Sequence, residues 1–295
     1  MKVSKRIELR GGGGEPVDFV RTVLSHGVAH LPPNVVADDG SSLETVLPAG
    51  GRAWIVRVLP DGVQRARLEA ATDAPVDELA VVVRHMLRLD EDMSGFYARA
   101  AEDADLGWVA AGAGRMLRSP TVFEDLVKTI CTTNCTWSAT VRMVTALVDD
   151  LGIEAEAGRR TFPTPAAMAE AGDAFYAGVA KAGYRGPYLR SIAADVAEGR
   201  LDLEALGDPA LPDTEVTERL LALPGVGPYA CAHMMMLLGR YRQLILDSWT
   251  RPTYRRLAGR PRVTDKGIEK AFRRYREYAG LAFWLILTRD WVAEP

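Results

Sequence analysis

The sequence predicts a mainly α-helical protein with a small β element at its N-terminus, an α+β architecture. Residues 1–75 alternate short β-branched runs with turn signals, and from Val76 onward apolar residues recur at helical spacing. The 295 residues, 48% hydrophobic and 25% charged, have the profile of a soluble globular protein with enough apolar surface for a large core.

Within residues 1–75 the run from Ala53 to Leu59 lies among the turn signals Leu31-Pro32-Pro33-Asn34, Asp38-Asp39-Gly40 and Pro60-Asp61-Gly62. That pattern predicts a small antiparallel β domain, with Gly11 to Gly14 as a flexible loop. A helical domain over 76–295 follows. Helices are expected over Val76–Leu89, from Ser119-Pro120 through Ile130, and over Ser138–Leu151, Pro165–Glu170 and Asp173–Ala182. Others are expected over Tyr188–Glu198, Thr214–Leu223, Tyr229–Leu238 and a last strong one over Lys266–Leu287. Gly152, Gly183 and Gly239 stand where C-terminal caps belong.

No run of some 18 apolar residues predicts a membrane span, and the N-terminus lacks the apolar stretch of a signal peptide, so a cytoplasmic location is expected. Three cysteines do not make a disulfide framework. Cys131 and Cys135 are spaced as metal ligands can be, but no second pair accompanies them; buried thiols, and no metal or other cofactor, are expected. The net charge of −3 alone argues against a polyanionic partner. Its distribution argues the other way: from Arg240 to Glu277, twelve Lys/Arg meet four Asp/Glu, a local +8 that leaves −11 on the rest. A basic segment on an acidic body can present one face to nucleic acid, although a solvated helix face rich in arginine gives the same count.

The most informative stretch is Leu223-Pro224-Gly225-Val226-Gly227-Pro228-Tyr229-Ala230, a tight turn between two predicted helices (214–239). Gly225 and Gly227 let the backbone take positive φ and approach a surface closely. The second helix starts at Pro228 or Tyr229, so its free N–H groups and positive dipole end point out of the turn, a seat for a phosphate that reads no sequence. Asp247 follows the apolar run Leu244-Ile245-Leu246 and precedes Ser248-Trp249-Thr250-Arg251. Such an aspartate can cap a helix, or it can stabilise an oxocarbenium-like transition state.

This hairpin followed by Asp247 resembles the helix–hairpin–helix, Gly/Pro-rich loop and aspartate (HhH-GPD) signature of the base-excision DNA glycosylase superfamily. The resemblance implies the HhH-GPD fold and a double-stranded DNA partner containing a damaged base. It implies a monomer associated with the nucleoid, with Asp247 as the catalytic carboxylate. It places Gly225, Val226, Gly227, Tyr229 and Arg251 against DNA. Ile130 to Asn134 resembles the family's segment whose asparagine fills the gap left by a flipped nucleotide, and Gly183 to Tyr188 the segment whose tyrosine and arginine wedge beside the partner base. Asn134, Tyr184 and Arg185 are assigned accordingly. Tyr278 to Phe283 resembles the helix that walls the base pocket, so Phe283 is expected there with Trp249, Trp137 and His233. Unstacking a base costs a few kcal/mol, which is why gap-filling and stacking residues are needed.

The sequence also departs from parts of this family. Members that nick the strand carry a lysine two residues past the second hairpin glycine, where this chain has Tyr229; without an amine no Schiff base forms. The oxoguanine branch has an arginine where this chain has Ala139, and a base-reading glutamine where it has Phe283. No cysteine follows Cys231, so the four-cysteine iron–sulfur pattern is absent. The likeness is therefore nearest to the monofunctional 3-methyladenine glycosylase II and oxoguanine glycosylase-like group, with an alkylated purine as the expected substrate. A non-catalytic lesion-binding module of the same fold, or a glycosylase for another damaged base, stays open.

Overall fold

The computed structural model describes residues 2–292. The N-terminal part forms a five-stranded antiparallel sheet of β1 (Lys2–Glu8), β2 (Val35–Val36), β3 (Leu43–Ala49), β4 (Arg52–Pro60) and β5 (Arg65–Ala71), in the order β1-β5-β4-β3-β2. Alternation along β4 buries Trp54, Val56 and Val58 on one face, as period-two side chains require. Between β1 and β2 runs a short helix α1 (Phe19–Val23), capped by Asp18, whose carboxylate accepts from Arg21 N at 2.9 Å.

Helix α2 (Val76–Met86) packs against this sheet: Leu79, Ala80, Val83 and Met86 join Leu43, Leu47, Val56 and Leu68 in one apolar cluster. The sheet's core is thus completed by a helix beyond residue 75. The remaining helices are α3 (Ser94–Ala101), α4 (Val122–Thr132), α5 (Trp137–Leu151), α6 (Pro165–Glu170), α7 (Arg185–Ala197), α8 (Asp213–Leu221), α9 (Pro228–Leu237), α10 (Thr250–Leu257), α11 (Asp265–Phe272) and α12 (Ala279–Thr288). They enclose a second apolar cluster, which also takes in Val28 and Leu31 from the N-terminal part. Every residue of α9 from Ala230 to Leu237 is buried, as befits a helix apolar all round. Among the described residues no helix is long and apolar enough to cross a membrane.

Three expectations need correction. The single last helix over 266–287 is two, α11 and α12, separated by a 3-10 stretch in which Arg276 takes φ 53°. The cause is docking: Gly280 N donates to Tyr241 O at 2.7 Å, and a Cβ on Gly280 would stand 2.0 Å from Gln243 O, so α12 must start afresh against that strand of chain. The helix expected over 173–182 is one π turn, Phe175–Val179. Gly152 closes α5 in extended rather than left-handed backbone, whereas Gly239, at φ 80°, ends α9 in a Schellman motif (Gly239 N to Met236 O, Arg240 N to Met235 O).

Candidate functional site

The hairpin joins α8 to α9, and its two glycines differ. Gly225 sits at φ 83°, and a Cβ there would meet Tyr188 Cδ2 at 2.9 Å, so the turn itself demands glycine. Gly227, the N-cap of α9, lies at φ −99° with nothing within 4 Å of where a Cβ would stand. The expectation of positive φ therefore holds for one glycine only; the other leaves backbone uncovered. Val226 is buried by side chain, so only its backbone can face a ligand. No side chain caps α9, and Pro228 at its first position carries no N–H, leaving the first-turn donors and positive helix end unpartnered by side chains.

Asp247 ends the loop that returns from α9. Arg240 fixes the start of that loop, pairing with Asp213 at 2.7 Å and donating to Leu211 O and Asp208 O. Ile245 buries its middle. Asp247 N donates to Thr250 Oγ1 at 2.8 Å, while Asp247 Oδ1 accepts from Trp249 N at 2.8 Å and Thr250 N at 2.6 Å. The carboxylate thus does hold the turn into α10. Only one oxygen is used, and among the described residues Oδ2 accepts no hydrogen bond. Capping and catalysis are compatible here, since the cap fixes the orientation of the free oxygen.

Tyr229 and His233, one turn apart on α9, and Arg251 all lie within electrostatic reach of Asp247. The Tyr229 hydroxyl is 3.2 Å from Thr132 Oγ1, and its ring centroid is 6.2 Å from that of His233. His233 is buried; burial pushes its imidazole down to about 4, against the pull of Asp247, so it is neutral at pH 7. Its Nε2 has no hydrogen-bond partner among the described residues. Arg251 is half-exposed, and its guanidinium pairs with the half-exposed Asp265 at 2.8 and 3.0 Å, so that a DNA phosphate would have to share it with this carboxylate.

A second group forms where α4 ends. Asn134, at φ 46°, is exposed and donates from Nδ2 to the hydroxyl of the half-exposed Tyr184 at 3.2 Å, so the two expected gap residues stand together at one tip. Arg185 lies behind them and not at the exposed tip. It is buried, donates to Thr133 O and Ala182 O, and stacks 4.5 Å from the Tyr184 ring. Its place in the first turn of α7 turns it inward, where it fixes the loop that carries Asn134.

The expected pocket aromatics separate. Trp137 is 48% exposed and lies over Gly27, where a Cβ would meet its ring at 3.3 Å. Trp249, beside Asp247, is 38% exposed and packs against Trp284 and Trp291 at 5.7 and 5.5 Å between centroids. Phe283 walls no pocket. It is wholly buried between Phe272 and Tyr254, at 5.1 and 6.0 Å, because the break at Arg276 lets α12 turn that face into the core.

Residues that sequence reasoning missed include His26, whose ring lies edge-on 5.6 Å from His233. Its Nε2 donates to Leu117 O at 2.7 Å, leaving Nδ1 as an unpartnered acceptor, and burial holds the ring down at about 3. A lone histidine in the β part carries no local signal for this role. Trp284 and Trp291 were missed likewise.

No family model matches the sequence, and no curated relative matches it. The structure, however, has the fold of solved DNA glycosylases. It resembles 3-methyladenine DNA-glycosylase from Archaeoglobus fulgidus with a TM-score of 0.74 at 21% identity, covering 98% of this chain and 100% of that one. It also resembles Clostridium acetobutylicum 8-oxoguanine glycosylase/lyase, in its apo-form with a TM-score of 0.73 at 21% identity, covering 97% of this chain and 98% of that one. The same enzyme in complex with dsDNA containing cytosine opposite 8-oxoG gives 0.73 at 20% identity, with 98% of each chain covered.

Proposed function

We propose that this protein is a base-excision DNA glycosylase that hydrolyses the N-glycosidic bond of a flipped damaged base, without a lyase step. The observation that carries the reading is Asp247, oriented through Oδ1 with Oδ2 open and within electrostatic reach of Tyr229 and His233 on α9, whose first turn no side chain caps. In this mechanism the carboxylate stabilises positive charge developing on the sugar as the C1′–N bond breaks. A water oxygen bonds to C1′ while the electrons of the broken C1′–N bond stay with the base; one proton of that water goes to solvent when the base is a cationic alkylated purine, and to the departing base when it is uncharged. Asn134 and Tyr184 would fill the gap in the stack. An intact abasic strand is the expected product, because Tyr229 supplies no amine and Lys128 is buried in an ion pair with Glu124 at 2.6 Å. Borohydride trapping should yield no covalent adduct; a robust adduct would end the monofunctional reading.

Within this reading an N-alkylated purine such as 3-methyladenine is the favoured substrate. Its glycosidic bond is already weakened, so one carboxylate suffices. Tyr229 and the uncharged His233 offer rings on α9, and Trp249 offers one next to Asp247, to a base carrying positive charge. Phe283, being buried, contributes nothing to this preference. Duplexes each carrying one modified base, scored for free-base release, test it: release of methylated purines is expected, and excision of 8-oxoguanine alone would reverse the assignment.

A further inference from the structure

The basic segment is not spread evenly. Arg242, Arg251, Arg273 and Arg276 line one concavity of about 590 Å³ beside Pro228 and Tyr229, the first residues of α9. Arg251 is neutralised there by Asp265. Among the described residues Arg242, Arg273 and Arg276 form no ion pair, although Glu269 shares the pocket. Arg190, Arg200 and Arg219 pair with Asp173, Asp195 and Glu215, whereas Arg255, Arg256 and Arg260, around a separate concavity, form no ion pair either among the described residues; the three here are those that share a hollow with the first turn of α9. Three uncompensated guanidiniums converging in one hollow, against an apolar wall that includes Leu244 and Leu246, suit an oxyanion carried on an apolar group.

We propose that this pocket is a second DNA-backbone site, seating a phosphate of the duplex next to the one held at Gly227, with the deoxyribose against the apolar wall. The proposal rests on the DNA-glycosylase reading. Its ligand follows from continuity: successive phosphates of one strand rise by about 3.4 Å along the helix axis, so a strand held at the hairpin must continue past Pro228. Of the unpaired arginines, Arg242, Arg273 and Arg276 are those that line the hollow with Pro228 and Tyr229.

The test compares Arg242→Gln/Arg273→Gln with a charge-matched pair on the sheet, Arg57→Gln/Arg65→Gln, by fluorescence anisotropy on a duplex between 50 and 200 mM salt (both about the working range of such titrations). Loss of a phosphate contact should lower the slope of log affinity against log salt by about 0.9 per contact. The pocket pair should therefore lower it by about 0.9 or more, and the sheet pair by nothing measurable. The single-turnover rate of base release at saturating protein should stay unchanged. Arg276→Gly should lower the slope too, at a backbone conformation (φ 53°) that glycine adopts freely. An unchanged slope in the pocket variants, or an equal fall in the sheet pair, overturns the proposal. If Gly227→Ala still weakens duplex binding, the DNA reading survives that result; if the wild-type protein shows no salt-dependent duplex binding, the DNA reading fails and this proposal with it.

Discussion

Gly227→Ala separates the fold of the hairpin from its work. A methyl at this position meets nothing within 4 Å, and φ −99° is open to any residue. Alanine is a poorer N-cap than glycine by several tenths of a kcal/mol, but it also removes freedom from the unfolded chain, worth about 0.4–1 kcal/mol the other way. Net stability should thus stay within about 0.5 kcal/mol, a shift of about 2 °C or less in melting temperature. The methyl would stand where a phosphate must approach the first-turn N–H groups of α9. Losing one hydrogen bond to a charged group costs about 1.5–3 kcal/mol, which is about 10- to 100-fold in affinity. Damaged and undamaged duplexes should be weakened alike, as measured by anisotropy titration with a thermal melt as control. Wild-type affinity in a folded variant would refute the hairpin as a phosphate seat, as would a loss of lesion selectivity with bulk affinity intact. Gly225→Ala cannot serve: at φ 83° and against Tyr188 it should damage the turn itself.

Asp247→Asn should lower single-turnover base release by on the order of 10²-fold or more with duplex affinity nearly unchanged, since asparagine can still accept from Trp249 and Thr250 N–H; a near-normal rate would remove Asp247 from the chemistry. Phe283→Ala should cost about 3–5 kcal/mol of stability, seen by denaturant titration, because the ring is a core element; a stable variant with altered base preference would contradict its burial. Acid should destabilise the protein through His26 and His233. Their imidazoles are held at about 3 and about 4 in the fold against 6.5, so stability is full above pH 6.5 and is lost as pH falls towards 4, by roughly 3 kcal/mol for His233 at 1.36 per pH unit. Asp125, raised to about 6 by burial, gains in the same descent and offsets part. His233→Gln should flatten melting between pH 7 and pH 5, and an unchanged slope would mean that this ring is not titrating.

What was legible in the sequence follows from how local its causes are. The hairpin and α9 declare themselves through Gly225, Pro228 and an unbroken apolar run, and the β-rich start shows in β4. Asp247 and Trp249 stand together because they are two residues apart in one turn. Where long-range packing decides, the reading failed. Arg276 breaks a helix whose residues favour helix, because α12 must meet Tyr241 and Gln243. That break turns Phe283 from a pocket wall into core. Arg185 faces inward because Thr133 O accepts its guanidinium, a contact between segments some fifty residues apart. The pairing of Arg251 with Asp265, and the lack of one for Arg273, are likewise invisible to a count of charges.

The geometry around α9 also explains how an acidic protein can offer a fixed cationic seat. At its C-terminus the buried Arg88 donates to Leu237 O and Met236 O, setting a cation on the negative end of the helix dipole. Arg88 is held in turn by Met116 O at 2.8 Å and Glu91 at 2.7 Å, and Glu91 accepts from the Tyr241 hydroxyl at 2.8 Å. Arg115, ion-paired with Glu15, donates to Arg88 O and Glu91 O, so the network reaches from the N-terminal segment to the end of α9. Ten residues at 1.5 Å each place the hairpin about 15 Å away along the axis. Between the two ends the helix is buried, so it can neither slide nor turn without cavities. The chain therefore satisfies the negative end of α9 internally and leaves the positive end to be satisfied from outside. On the proposed function a phosphate is the ligand that suits this asymmetry, and a rigid α9 would give it the close placement that excision nearby would need.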